Sequence, residues 1–190
     1  MNEHIKPIFE LVIPRIQSAN IKYWIYGGLG YASMAGQCYR DNTDVDLFVM
    51  GNDFEIVKKI LENMCEENSW KLCQTFVNNR LKLEVFFLKN KKKWIERLSV
   101  VPAYQKNSQI ELKFRKGSGK YSPDILLQVE RHVENFTFST ISNEFLKKLF
   151  LEYLDSKRKY PTKRVEDARY VLSEEEFKKY FPNETYNQNV

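Results

Sequence analysis

The chain has 190 residues, 43% of them hydrophobic, which is enough for one compact core and too few for several domains of ordinary size. Its formal net charge of +5 suits anionic partners such as nucleotides but is too weak to indicate a DNA-binding protein. Three cysteines without metal-ligand spacing, and the lack of a signal-peptide pattern or a membrane-spanning apolar run, predict a cytoplasmic protein with no membrane partner.

Hydrophobic periodicity and glycine positions predict the order of helices and strands along the chain. Apolar residues at near-helical spacing predict an amphipathic helix over residues 4–18. The apolar run at 23–26 predicts a short strand that stops at a diglycine, Gly27-Gly28. Further helices are predicted at 29–35, 54–64, 144–154, 162–172 and 173–180, and further strands at 44–50, 70–77, 81–88 and 136–141.

The segment from residue 89 to residue 131 is less regular, and it is predicted to hold a basic turn, two short strands and a loop at 116–120. The order of elements predicts a mixed α/β (α+β) fold, in which a sheet flanked by helices occupies residues 1–141. A helical segment follows at residues 142–190. The two parts could also pack as one domain.

Two aspartates, Asp44 and Asp46, stand one residue apart on the strand after the diglycine. Side chains at i and i+2 of a strand point to the same face, so the two carboxylates project together. Two neighbouring anions repel unless a cation lies between them, and carboxylate oxygens suit Mg²⁺. The diglycine lets the backbone approach a ligand at the start of a helix, where free N–H groups favour phosphate. A solvated strand edge could also hold the two acids, although apolar neighbours indicate a packed strand.

A third acid, Glu84, is the only carboxylate of the predicted strand at 81–88. If that strand lies beside the strand at 44–50, Glu84 can join Asp44 and Asp46 as a metal ligand or general base. The alternative is an ion pair between Glu84 and a lysine on a neighbouring strand edge.

Residues 23–49 resemble the signature of the nucleotidyltransferase superfamily, which is a diglycine or glycine-serine turn, a helix and then D-x-D on a strand; they read YWIYGGLGYASMAGQCYRDNTDVDLFV. The resemblance is strongest to the small antibiotic nucleotidyltransferases that modify lincosamides and aminoglycosides. The fifteen residues between Gly28 and Asp44 match the spacing of the family. Gly30, Gly36 and Arg40 also fall where that subfamily tends to carry a small residue, glycine and arginine.

The resemblance implies a nucleotidyltransferase-like mixed sheet and Mg²⁺-dependent transfer of a nucleoside monophosphate from an NTP, with ATP as first choice, to a hydroxyl of a small acceptor. Asp44, Asp46 and Glu84 would hold the metal, and Glu84 could take the proton of the attacking hydroxyl. Gly27 and Gly28 would offer backbone N–H groups to the phosphates.

Two basic residues are the remaining candidates for nucleotide binding. Arg40, just before the metal strand, would clamp phosphate, or it could pair with Asp41 or Asp44. Lys163 begins a basic-then-Asp helix similar to one in related enzymes, where the basic residue can reach phosphate. Either Lys163 or Arg164 could make that contact, and a solvated helix face is the alternative.

The resemblance makes an aminoglycoside or lincosamide antibiotic the first choice of acceptor, and hence antibiotic resistance the expected role. Two alternatives stay open. One is a toxin-type nucleotidyltransferase that modifies a protein or a nucleic acid, favoured if the basic middle segment formed a continuous groove. The other is a non-catalytic nucleotide-binding module. Related enzymes can place the acceptor pocket between two subunits, so a homodimer is also considered.

Overall fold

The computed structural model describes residues 3–76, 81–89, 93–114, 117–156 and 161–187. Within these residues the strands form one mixed sheet. They are β1 (Tyr23–Tyr26), β2 (Val45–Met50), β3 (Lys71–Phe76), β4 (Leu81–Lys89), β5 (Lys93–Lys106), β6 (Gln109–Phe114), β7 (Gly117–Tyr121), β8 (Val129–Val133) and β9 (Phe136–Thr140).

The helices surround this sheet. They are α1 (Ile13–Ser18), which continues a π-helical stretch (Ile8–Val12), α2 (Gly27–Met34), α3 (Phe54–Asn68), α4 (Asn143–Asp155), α5 (Thr162–Val171) and α6 (Glu174–Tyr180), with short 3-10 segments at Gly51–Asp53 and Pro123–Leu126. The predicted helix after the diglycine is confirmed, but it begins at Gly27 itself. The positive φ of Gly27, +67°, turns the chain from strand to helix at once. Gly36 follows the end of α2 with a φ of +68°.

The sheet runs in the order β3-β4-β5-β2-β1-β9-β8, and β6 and β7 extend it from β5. β2 pairs antiparallel with β1 and parallel with β5, whereas β4 and β5 are antiparallel. The predicted mixed α/β fold is confirmed. The strand that bears Glu84 does not lie beside the strand that bears Asp46, because β5 lies between them.

The prediction for the middle of the chain was wrong. In place of two short strands, β5 runs for 14 residues and is followed by β6, β7 and β8. Part of the predicted loop at 116–120 belongs to β7, which pairs antiparallel with β6. Pro102 inside β5 and the glycines of β7 are poor strand residues, so pairing with neighbouring strands overrides local preference here. The predicted turn at 78–80 lies outside the described residues.

The two faces of the sheet bury two different apolar clusters. Val45, Leu47 and Val49 of β2 point to one face, where they pack with α1 and α3 residues. Phe48 points to the other face and joins a cluster that includes Phe150 of α4 and residues of α5 and α6. Strand side chains alternate, so Asp46 shares the face of Phe48. Among the described helices, none has the length and apolar character needed to cross a membrane. The division at residue 141 stays a prediction.

Candidate active site

The two aspartates of the D-x-D pair lie at the start of β2. Asp46 is paired across the sheet with Tyr26 of β1 and with Ser99 of β5. Asp44 lies just before the strand and accepts a hydrogen bond from the hydroxyl of Thr43 at 2.9 Å. Burial, followed by the negative charge of Asp44, raises the pKa of the Asp46 carboxyl to about 7, while Lys82 opposes the rise. The free carboxylates therefore repel each other, which is what a cation between them would relieve.

Gly27 brings the backbone at the start of α2 against Asp46. A Cβ placed on Gly27 would lie 2.7 Å from Asp46 Oδ2, which is closer than carbon and oxygen atoms can pack. The φ of +67° at Gly27 also belongs to the left-handed region that favours glycine. Glycine is therefore required at position 27 for two reasons: the positive φ angle, and the lack of room for a side chain next to Asp46.

A side chain on Gly28 would also clash, in this case with Arg40 and Asn42. A Cβ on Gly28 would lie 2.6 Å from Arg40 Nη2 and 2.7 Å from Asn42 Oδ1. The guanidinium of Arg40 therefore lies against the first turn of α2. The backbone N–H groups at that turn have no partner within the helix, so this corner favours an anion.

Arg40 is held there by a buried carboxylate. Its Nε and Nη2 donate to Asp167 of α5 at 2.6 and 3.0 Å, and Asp167 is fully buried. The hydroxyl of Tyr39 donates to the same carboxylate at 2.8 Å. The alternative pairing of Arg40 with the Asp41 or Asp44 carboxylate is not what the structure has, although Nη1 donates to the backbone carbonyl of Asp41.

Arg164 is the second guanidinium on this carboxylate. Its Nη1 donates to Asp167 Oδ2 at 2.8 Å, and its side chain lies over the rings of Tyr31 and Tyr153. Two guanidiniums share one carboxylate, which leaves a net positive charge beside α2. Lys163, in contrast, is exposed on α5, so Arg164 is the basic residue of this helix that faces the site.

Glu84 lies two strands away from Asp46. Two strand spacings separate the backbones by about 9.5 Å. The Glu84 carboxylate accepts hydrogen bonds from Lys82 at 2.8 Å and from Thr75 of β3 at 3.2 Å. The strand adjacency on which its predicted metal role depended is therefore wrong, and Glu84 pairs with a lysine of its own strand, not with one on a neighbouring strand edge.

A different acid, Glu96 on β5, is closer to the aspartates in the sheet. Leu98 pairs with Val85, but the next residue of β4, Phe86, pairs with Glu96, so Arg97 is an extra residue in a β-bulge. Glu96 therefore faces the same side of the sheet as Glu84 and Asp46. Strict alternation would have placed Glu96 with Leu98 on the opposite, apolar face, which is why sequence analysis missed it.

The donor set at Asp44 and Asp46 fits a magnesium ion that also binds phosphate. In the described parts of the chain, no three acidic, histidine or cysteine side chains converge closely enough to form a complete metal site. Mg²⁺ is usually bound by one or two carboxylates together with substrate phosphates and water. Asp44 and Asp46 can supply the carboxylates, and the start of α2 lies directly against Asp46.

The fold is that of known nucleotidyltransferases. The lincosamide antibiotic adenylyltransferase LnuA, solved with lincomycin bound, superposes with a TM-score of 0.61 at 17% identity and covers 90% of this chain and 96% of its own. ANT(2'')-Ia in complex with adenylyl-2''-tobramycin gives 0.63 at 15% identity, over 94% and 95%. An antigenic nucleotidyltransferase-like protein from Paracoccidioides brasiliensis gives 0.52 at 16% identity, over 90% and 74%.

A comparison of the sequence with family models gives a more specific match than the fold does. Residues 9–89 match the family model described as aminoglycoside-2''-adenylyltransferase. A comparison with curated proteins gave no match. The matched residues include the diglycine, the D-x-D pair and Glu84. The resemblance to the nucleotidyltransferase superfamily is therefore confirmed, and the chain has the fold of solved nucleotidyltransferases.

Proposed function

We propose that this chain is a Mg²⁺-dependent nucleotidyltransferase that moves a nucleoside monophosphate from an NTP to a hydroxyl of a small antibiotic, an aminoglycoside or a lincosamide. ATP is the proposed donor, because the matched family is described by adenylyl transfer. Such a transfer would make the chain an antibiotic resistance protein.

The observation that carries this proposal is the close approach of Gly27 to Asp46. Asp46 Oδ2 lies 2.7 Å from the position of a Gly27 Cβ, so one carboxylate of the D-x-D pair lies against the first turn of α2. A triphosphate needs both, because its oxygens bind N–H donors and a divalent cation together. A strand edge that merely carried two solvated acids would not need this close approach.

Different residues would bind the phosphates and the metal ion. Gly27, Gly28 and Arg40 would hold the phosphates on the β1 side, where Asp167 fixes the guanidinium. Asp44 and Asp46 would hold Mg²⁺, which would supply charge neutralisation to the triphosphate as pyrophosphate leaves.

The acceptor would then lie on the β5 side of Asp46. Its hydroxyl oxygen would bond to the α-phosphorus as the bond to pyrophosphate breaks, and a carboxylate would receive the hydroxyl proton. We propose Glu96 for this step, because β5 is the neighbour of β2 and Glu96 shares the face of Asp46. Burial raises the pKa of Glu96, which makes its carboxylate a stronger base, although Lys82 partly offsets the rise. We propose that Glu84 holds Lys82 instead of a metal ion.

The test is a transfer assay with each of four labelled NTPs, Mg²⁺ and a panel of aminoglycosides and lincosamides. A labelled product with the combined mass of the antibiotic and a nucleoside monophosphate is expected, together with released pyrophosphate. Asp46→Asn should abolish this product while circular dichroism shows an unchanged fold. Label found only on protein or RNA would favour the toxin-type alternative. Absence of any label, together with retained NTP binding, would favour the non-catalytic module. The homodimer stays a prediction that light scattering would test.

A further inference from the structure

Lys82 connects two glutamates on the acceptor side of the site. Its Nζ donates to Glu84 Oε1 and to Glu96 Oε1, both at 2.8 Å. The three side chains remain 24%, 16% and 29% exposed, so they line a surface that a ligand can reach. An ammonium group has three donors, and two of them are used here. Lys82 therefore occupies the position that a protonated amine of a ligand would take between two carboxylates.

This trio lies on the face of the sheet that carries Asp46. Asp46 pairs with Ser99, and Ser99 pairs with Glu84 on its other side, so the three residues form one row across β2, β5 and β4. Glu96 joins the same face through the bulge at Arg97. This row extends away from the start of α2, the proposed phosphate site, which lies on the β1 side of Asp46. An acceptor that approaches Asp46 from the β5 side would meet the trio.

The side chain of Trp94 adds an apolar surface to this approach. Trp94 lies two residues before Glu96 on β5, on the same face by alternation, and it is 41% exposed. An aromatic ring beside a neutralised carboxylate pair suits a ligand with few charges, whereas bare glutamates would suit a polyamine. The electrostatics of Lys82 extend to Asp46 itself, whose pKa Lys82 lowers.

We propose that Lys82 is a specificity-determining residue, which selects hydroxylated acceptors with at most one cationic group and disfavours polyamine acceptors. The inference rests on the proposed nucleotidyl transfer and narrows its acceptor class. A polyamine acceptor would have to displace Lys82 from both glutamates or place its ammonium groups beside a like charge. Either arrangement weakens the binding of a polyamine, and a singly charged acceptor avoids both.

The first test compares two acceptors, tobramycin with several amino groups and lincomycin with one basic nitrogen. The kcat/KM ratio of the two acceptors is measured for the wild type and for Lys82→Met, Lys82→Arg and Lys147→Met. The ratio cancels any effect on Glu96 as the base, because both acceptors use the same residue. Lys147→Met is the matched control, since Lys147 forms an ion pair with Glu176 at 2.7 Å in the helical segment.

Lys82→Met should shift the ratio toward tobramycin by about tenfold, because two charged hydrogen-bond acceptors become available to its amines. Lys82→Arg should keep the wild-type preference, and Lys147→Met should not move it. An unchanged ratio in Lys82→Met, or an equal gain for both acceptors, would overturn the inference.

A second measurement uses only the wild-type protein, so it depends neither on catalysis nor on whether the variants fold. Calorimetric titration of the wild-type protein with tobramycin and with fully N-acetylated tobramycin tests whether loss of the amine charges strengthens binding. Stronger binding of the acetylated compound supports the role of Lys82, and stronger binding of unmodified tobramycin refutes it. Failure of every variant to transfer nucleotide, with this preference intact, would instead reject the proposed reaction and leave the binding preference standing.

Discussion

Gly27 and Asp46 are 19 residues apart in the sequence, yet a single added methyl group on Gly27 would collide with the Asp46 carboxylate at 2.7 Å. Gly27→Ala should therefore abolish transfer, because it displaces Asp46 and forces a residue with a side chain into positive φ. The backbone strain alone should lower the free energy of unfolding by about 1–2 kcal/mol. Transfer assays and urea unfolding measure the two effects separately.

Gly36→Ala is the matched control for this prediction. Gly36 has nearly the same φ, +68°, but nothing lies within 4 Å of an added Cβ. It should lose a similar amount of stability and keep its activity. Equal loss of activity in both variants would show that backbone strain, and not the contact with Asp46, explains the result for Gly27.

Asp46 should make the metal-free protein less stable as the pH rises. Its folded-state pKa of about 7 lies above the unfolded value of about 3.9, so the folded protein holds the proton more tightly. This contribution to stability is present at low pH and is lost between about pH 4 and pH 7. Asp46→Asn removes the dependence, so at pH 8 the variant should be more stable than the wild type by up to about 4 kcal/mol.

Thermal melting with EDTA from pH 5 to pH 8 checks the sign. The advantage of Asp46→Asn should shrink toward pH 5, where the wild-type carboxyl is protonated. Asp124→Asn, at an exposed carboxylate of the 3-10 segment, should show no such trend. A variant that is less stable than the wild type at pH 8 would contradict the raised pKa of Asp46, whose causes are burial and then the charge of Asp44.

Loss of the buried carboxylate of Asp167 should lower the free energy of unfolding far more than loss of an exposed carboxylate. Asp167→Ala leaves the guanidiniums of Arg40 and Arg164 without their shared partner, which should cost about 3–5 kcal/mol of unfolding free energy. Glu67→Ala removes the partner of Arg15, a pair with two hydrogen bonds but side chains 45% and 51% exposed. That loss should be far smaller, because solvent screens the exposed pair. Urea unfolding compares the two variants directly.

Arg40→Lys addresses the function of the same cluster. Lysine keeps the charge but cannot donate two parallel hydrogen bonds to Asp167, so its ammonium should be less well placed at α2. The KM for the NTP should rise more than kcat falls. A change confined to kcat would mean that Arg40 acts on the transition state and not on nucleotide binding.

The two glutamates can be separated by their effects on kcat. Glu96→Gln should lower kcat by about 10²–10⁴-fold, as expected when a general base is lost. Glu84→Gln should have a smaller effect, because Glu84 lies one strand further from Asp46. Steady-state kinetics with a saturating acceptor decide between them, and the reverse order would restore Glu84 as the base.

Local sequence patterns predicted the parts of the site that are local in the chain. The diglycine, the helix after it and the strand of Asp44 and Asp46 lie within 20 residues, and each follows from backbone chemistry or periodicity. The position of Glu96 depends on one extra residue in β5, and no sequence pattern reveals a bulge. Asp167 meets Arg40 across 127 positions, a contact that only the folded chain defines.

The attachment of Arg40 to α5 has a consequence for shortened forms of this protein. The family match ends at residue 89, but the anchor of the Arg40 guanidinium lies at residue 167. A gene product that stopped before α5 would keep both aspartates and both glycines but would lose Asp167, the carboxylate that holds the Arg40 guanidinium. A fragment limited to residues 9–89 should therefore misplace Arg40, although it contains the whole motif.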